Sequence, residues 1–267
     1  MVTEINTVVL EDDFFSRNWM SLILARDWRT RVVADVETVE ELRSILDSPP
    51  TRIDLIIVDT EIYRDLKWIG TLLETIQEHA HTPKVLFTTV SPLPEITYYM
   101  GHEAVRGYLT KGEIRYSLAW AVDIAMEGDW VLTPSADDFL SFGLGELPQP
   151  RAIIQGQNNY PGLTENQANA ARLAFLFSME RAELADELLI SVGWSYGKVN
   201  ELYEKIGVRD LLSGEMPIEF FLGDNPIILS HFRKIIENIG EQEQSKAKNM
   251  ETLAFHLLTR PMVHRIT

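Results

Sequence analysis

Short apolar runs and amphipathic stretches alternate along the first half of the chain. Runs rich in β-branched and leucine residues at 7–10, 31–36, 53–58, 84–88 and 105–109 are too short for helices and predict strands. Between and after them, 14–25, 39–46, 69–79, 96–100 and 114–126 predict helices. In the first of these, Phe15, Trp19, Leu22 and Ile23 fall on one helical face. The run at 53–58 shows no two-residue alternation, which marks a central parallel strand buried on both faces. Strands alternating with helices predict an α/β unit over 1–135, a doubly wound five-stranded parallel sheet.

The pattern then changes. Gly, Pro, Gln and Asn collect between Gly143 and Gly162 with little apolar periodicity, which predicts a linker over 136–162. Three short helices follow at 163–177, 180–189 and 194–206, the first capped by Thr164 and the last closed by Gly207. This order predicts an all-α helix-turn-helix domain over 163–211. Beyond it, Asn225-Pro226 opens a helix with Ile228, Phe232, Ile235 and Ile239 in step, and 253–258 is a second apolar stretch. Residues 212–267 thus predict a helical C-terminal extension. It either packs back on the helix-turn-helix or forms a dimer or partner surface.

Charge sharpens the division. Of the net −16, residues 1–150 hold 12 Lys+Arg against 25 Asp+Glu, while 151–267 hold 12 against 15. A first half of this sign repels phosphate backbones, so direct nucleic-acid binding there is excluded. The chain has no cysteine, no run near the ~20 apolar residues of a membrane span, and no basic-then-apolar leader. A cytoplasmic protein without membrane partners is expected.

The candidate chemistry sits at strand ends, where open α/β sheets place their ligands. Glu11-Asp12-Asp13 follows the first strand, Asp59 the third, Thr88-Thr89 the fourth and Lys111 the fifth. Carboxylates that converge in one pocket repel one another unless a hard cation or a lysine neutralises them. Such a pocket suits phosphoryl transfer onto Asp59, with a metal and Lys111 absorbing charge as it develops. Asp13 reads as a solvated neighbour.

These four features in order (Glu-Asp-Asp, Asp, Thr and Gly107-Tyr108-Leu109-Thr110-Lys111) resemble the flavodoxin-like receiver domain of bacterial two-component response regulators. The resemblance implies that Asp59 is the phosphoacceptor for a partner histidine kinase. It implies Mg2+ held by Asp12 and Asp59, by Glu11 through water and by the backbone carbonyl of Glu61. It makes Thr88 the hydroxyl that follows the phosphoryl group, with Thr89 as the alternative, Lys111 its ion-pair partner and Tyr108 the aromatic that changes rotamer. Such a domain is a phosphoprotein switch and not an enzyme. The chain departs from the family at Tyr63 and Gly112, both commonly proline there. A phosphatase on the same pocket is disfavoured, because Glu61 stands where such enzymes commonly carry a second aspartate.

The segment 129–135 resembles the exit from the receiver in regulators of the NarL/FixJ type. Leu163-Thr164-Glu165, Glu183-Leu184-Ala185 and Leu202-Tyr203-Glu204-Lys205-Ile206-Gly207-Val208-Arg209 resemble the LuxR-type DNA-binding domain. That resemblance implies control of transcription, a possible homodimer, and a third helix in the major groove with Trp194, Tyr196, Lys198 and Lys205 as contacts. Residues 163–210, however, hold five basic residues against eight acids, and Gly193 and Gly197 weaken the third helix. The alternative is an output domain that binds a protein in place of DNA. Six basic residues against four acids in 230–267 offer a further source of phosphate contacts if DNA is bound.

Overall fold

The computed structural model describes residues 4–79, 81–144, 147–157, 160–241 and 245–267. The chain forms two compact units, Met1–Gly156 with Pro261–Thr267, and Gln157–Arg260. The second is inserted between two strands of the first.

The first unit follows the predicted alternation. It runs β1 (Ile5–Leu10), α1 (Phe14–Arg26), β2 (Thr30–Val36), α2 (Val39–Asp47), β3 (Leu55–Asp59), α3 (Lys67–Gln77) and β4 (Lys84–Thr89). A 3₁₀ turn (Pro94–Tyr98) then leads to β5 (Val105–Thr110). All five residues of β3 are buried, as its unbroken apolar run requires. One face of the sheet is covered by α2 and α3, whose Leu42, Leu46, Ile69, Leu72 and Ile76 pack in a single cluster with Val8, Ile56, Val58 and Phe87. α1 packs against β1 and β2, with Met20, Ile23 and Leu24 buried.

The expected single helix over 114–126 is broken. Lys111 opens a one-turn helix, α4 (Lys111–Ile114), then a 3₁₀ turn (Arg115–Ser117) leads into α5 (Leu118–Met126). The break falls at Arg115, whose φ of 47° no α-helix accommodates. α5 is apolar nearly all round and buried from Leu118 to Ala125.

The expectation of five strands fails beyond β5. The chain continues through β6 (Trp130–Leu132), α6 (Pro134–Leu144) and β7 (Arg151–Gly156). The sheet has eight strands in the order β2-β1-β3-β4-β5-β6-β7-β8. The segment read as a linker over 136–162 therefore contributes a helix and a strand to the sheet, although Gly145, Glu146, Asn158 and Asn159 lie outside the described residues. The physical signal was present: Ala136 and Leu140 are four apart and buried, and Ala152, Ile154 and Gly156 alternate inward. Pro, Gln and Asn around these short elements obscured it.

β8 (Pro261–Ile266) corrects the helical reading of the extension. It pairs antiparallel with β7, Gly156 opposite Pro261, and its Arg265 reaches Asp129 at 2.8 Å. Proline and charged side chains suit an edge strand. The inserted unit is thus tethered at both ends to one β-ladder, where a single linker was expected.

β5 and β6 approach closely at Gly107, opposite Val131. A Cβ there would overlap the Val131 carbonyl oxygen. Gly107→Ala is expected to lower stability by roughly 1–3 kcal/mol, read as the urea midpoint. An unchanged midpoint would refute the close approach.

The second unit contains α7 (Glu165–Ala171), a π-helical turn (Arg172–Leu176), α8 (Arg181–Glu187), α9 (Val192–Lys205), α10 (Val208–Ser213), α11 (Ile218–Leu222), α12 (Pro226–Glu241) and α13 (Lys246–Thr259). Thr164 caps α7 in a reciprocal box with Gln167. α8 and α9 pack together as a helix-turn-helix, and Phe175 meets Tyr203 at 4.8 Å between ring centres. Gly207 takes the left-handed conformation (φ 72°) expected at the end of α9. α13 packs on the π-helical turn and on α10, so the 253–258 stretch folds back onto the helix-turn-helix.

Candidate functional site

β1 and β3 are neighbours and β5 lies one strand further on, beyond β4, and their ends deliver Glu11, Asp59 and Lys111 to one place. Lys111 Nζ lies 2.6 Å from Glu11 Oε2 and 3.3 Å from Asp59 Oδ1. Both oxygens are buried, and neither receives a hydrogen bond of good geometry. The lysine therefore balances their charge without satisfying their lone pairs. Asp12 joins them: Glu11, Asp12 and Asp59 each bring a carboxylate oxygen within 4.8 Å of the others. Such an all-oxygen donor set with unsatisfied buried acceptors suits a hard divalent cation such as Mg2+.

The acidic loop is held from below. Glu11 Oε1 accepts from the Asp13 amide at 3.2 Å, and Asp13 Oδ1 accepts from the Ser16 amide at 2.7 Å, capping α1. Asp13 is exposed, as a solvated neighbour should be, and it also serves as the cap of α1. Arg17 donates to the backbone carbonyl of Glu11 at 2.6 Å while pairing with Glu37 at 3.2 Å. No sequence signal marked Arg17, because its partner is a carbonyl.

Electrostatics follow from the crowding. Asp59 is 2% exposed. Burial first, then the charge of Glu11 and more weakly Glu61, push its carboxyl up to about 7 against the pull of Lys111. Burial acts to lower Lys111, but Asp59 and Glu11 outweigh it and hold the ammonium above its ordinary range.

Thr88 stands directly opposite Asp59 in the β3–β4 ladder, fully buried, with its hydroxyl unpartnered. Thr89 faces the other way, and its hydroxyl donates to the Ser91 carbonyl at 2.6 Å. Glu61 accepts from the Val90 amide at 2.9 Å through its side chain, tying the ends of β3 and β4 together. Tyr108 is buried, and its hydroxyl accepts from the Leu93 amide at 3.0 Å.

The sequence reading also missed a brace under Lys111. Glu113 accepts from the hydroxyls of Thr110 and Ser135, each at 2.6 Å, and from the Ser135 amide at 3.0 Å. Burial opposes its ionisation, but these bonds win and hold its carboxyl below the usual range. Ser135 belongs to the segment read as an exit from the domain, so its contact with the Lys111 turn was invisible locally.

In the helical unit the four proposed DNA contacts separate into two kinds. Trp194 and Tyr196 are 75% and 56% exposed on α9. Lys198 and Lys205 are both paired with Glu201, at 3.2 and 3.6 Å, and Glu201 also accepts from Gln167 at 2.7 Å. Arg209 is occupied by Glu204 and Asn200. The basic tail is similarly engaged: Arg233 pairs with Glu219, and Arg260 donates to the Phe221 carbonyl. Among the described residues no helix is long and apolar enough to cross a membrane.

No family model matches this chain, and no curated protein matches it. Among solved structures it is similar to the RcsB response regulator of Salmonella typhimurium, with 18% identity, 76% of this chain and 92% of that one covered, and a TM-score of 0.44. It is also similar to ChrA, a response regulator of a heme-sensing two-component system, with 21% identity, coverage of 76% and 90%, and a TM-score of 0.40. The isolated receiver domain of RcsB from Salmonella enterica serovar Typhimurium matches over 52% of this chain and 99% of its own, at 19% identity and a TM-score of 0.44. Overlays this loose carry no functional weight. The strand-end cluster has to stand on its own geometry.

Proposed function

We propose that the sheet unit is a phosphoacceptor domain that takes a phosphoryl group on Asp59 from a histidine kinase, and that the inserted helical unit is the output it controls. The observation that carries this reading is the Glu11–Asp59–Lys111 cluster: two buried carboxylates share one lysine, with Asp12 beside them.

The chemistry follows from the charges. An oxygen of Asp59 attacks the phosphorus of the donor as the bond to the donor's leaving atom breaks, leaving an acyl phosphate on the protein. Mg2+, held by Glu11, Asp12, Asp59 and the backbone carbonyl of Glu61, neutralises phosphoryl charge when bound. Lys111 is already placed to exchange its contact with Asp59 for one with the new phosphoryl oxygens. The unpartnered Thr88 hydroxyl is the nearest uncommitted donor along the ladder. Tyr108 is held inward by Leu93, the arrangement that Thr88 and the β4–β5 face would change on phosphorylation.

Intact-mass analysis after incubation with acetyl phosphate and Mg2+ tests this. The wild type gains one phosphoryl group, and Asp59→Asn gains none. Equal mass gain in both proteins, or none in either with small donors and kinase alike, would sink the reading.

The helix-turn-helix formed by α8 and α9 supports transcriptional output through DNA. A specific observation favours a second reading, in which the output partner is a protein: both α9 lysines are already neutralised by Glu201. Phosphate contacts supply most non-specific DNA affinity, and these lysines would have to leave a carboxylate to make them. A gel shift on promoter DNA over a salt series separates the two readings, since only DNA binding falls steeply with salt.

A further inference from the structure

The helical unit carries an open groove of about 860 Å³ between α7 and α9, whose shape owes nothing to the phosphoacceptor reading. Ala170, Gly193 and Gly197 form its floor, and Leu189 and Trp194 stand beside it. The two glycines lie four residues apart, hence on one side of α9. Around Gly197 nothing lies within 4 Å of where a Cβ would stand, and around Gly193 only Ser191 Oγ at 4.0 Å does. No side chain of the unit fills the space they open.

The surface around the groove is unusually apolar. Leu189 is 92% exposed, with Trp194, Tyr196 and Val192 exposed nearby in the sequence. Leu189 also sits in a left-handed conformation (φ 54°), which is unfavourable for a residue with a Cβ. Apolar side chains grouped in this way mark contact surfaces.

Charge selects the occupant. Lys198 and Glu201 within the groove neutralise each other. The carboxylates of Glu187, which lines the groove, and of its neighbour Asp186 are exposed and make no ion pair among the described residues. The surplus charge at the groove is negative, which favours a cationic occupant. A second copy of this chain, at net −16, would bring the same carboxylates to the contact. An amphipathic helix with an apolar stripe and flanking Lys or Arg meets both requirements. We propose that this groove docks a basic amphipathic helix of a partner protein. An apolar side chain would seat over Gly193 and Gly197, and the basic side chains would meet Asp186 and Glu187.

The test uses the full chain and two fluorescent helical peptides of equal length, one of leucine and lysine and one of leucine and glutamate, followed by anisotropy. The Leu/Lys peptide binds the wild type and the Leu/Glu peptide does not. Gly197→Leu fills the groove while improving helix propensity, so its fold is retained, and it weakens Leu/Lys binding by about tenfold or more, equivalent to roughly 1.4 kcal/mol. Glu187→Lys weakens it as well. Equal binding to Gly197→Leu overturns the proposal, as does equal binding of a Ser/Lys peptide, which would show charge alone at work. Binding of labelled duplex DNA alone at physiological salt, lost in Gly197→Leu, would also overturn it and return the surface to nucleic acid.

Discussion

At pH 8 and without divalent cations, Asp59→Asn is expected to melt higher than the wild type, and the gap is expected to close as the pH falls below about 4. In the unfolded chain an aspartate titrates near 3.9, whereas in the folded protein burial and Glu11 hold Asp59 at about 7. A raised acid binds its proton more tightly in the native state. Its favourable contribution is complete below about 4 and is lost as pH rises through about 7. The gap between those two values sets a ceiling of about 4 kcal/mol. Because Asp59 shares Lys111 with Glu11, which lets the site adjust when one charge is removed, about half of that is the expected gain, on the order of 2 kcal/mol or 4–8 °C. Only below about 4 is Asp59 neutral in the folded and the unfolded chain alike, and there asparagine changes little. Millimolar Mg2+ should then raise the wild type and leave the variant behind, because only the wild type keeps the full donor set. Identical melting at pH 8 would show that Asp59 is not strained by its neighbours.

The first five strands and the strand-end acids were legible because each is a local pattern. A buried parallel strand declares itself by its unbroken apolar run, as Leu55–Asp59 does, and its last residue marks the ligand side of the sheet. β7 and β8 were not legible for a different reason. Ile154 meets Val263 across an antiparallel ladder, and no local window contains both. Each strand alone is six residues, two of them polar, beside prolines. Their pairing is decided by tertiary structure, and with it the double tether of the helical unit.

The site shows the same division. Thr88 and Thr89 are equivalent in sequence, and only the register that sets Asp59 opposite Thr88 separates them. In α9 the pairing was available in the sequence. Lys198 and Lys205 sit three before and four after Glu201, the spacings at which helical side chains pair, so their neutralisation could have been read from the sequence. The Glu113 brace could be read only in part: Thr110 lies three residues away, but Ser135 belongs to α6, beyond α5 and β6.

Arg29→Ala is expected to cost about 3–5 kcal/mol, the range for removing one partner of a buried ion pair. The Arg29 side chain is fully buried in the turn before β2. It grips Asp27 with two bonds of 2.9 and 2.6 Å, reaches Asp123 of α5 at 2.8 Å and lies 4.5 Å from the centre of the Trp120 ring. Burial acts to lower its pKa, yet the two carboxylates more than offset this and raise it above the ordinary value. Alanine would take the guanidinium away from both carboxylates in a space that water enters poorly. A midpoint shift in urea measures the loss, and a cost under about 1 kcal/mol would mean that solvent reaches Asp27 and Asp123 after all. Replacing all three charges, as Arg29→Met with Asp27→Leu and Asp123→Leu, should recover most of the stability, because the penalty comes from unpaired charge and not from lost attraction. The same contrast reaches the phosphoacceptor site. α5 begins four residues after the Lys111 turn ends, so the grip on Asp123 fixes the helix that follows Lys111. Arg29→Ala, assayed at low temperature where it remains folded, is expected to take up phosphoryl groups more slowly than the triple replacement. Equal rates would confine Arg29 to stability alone.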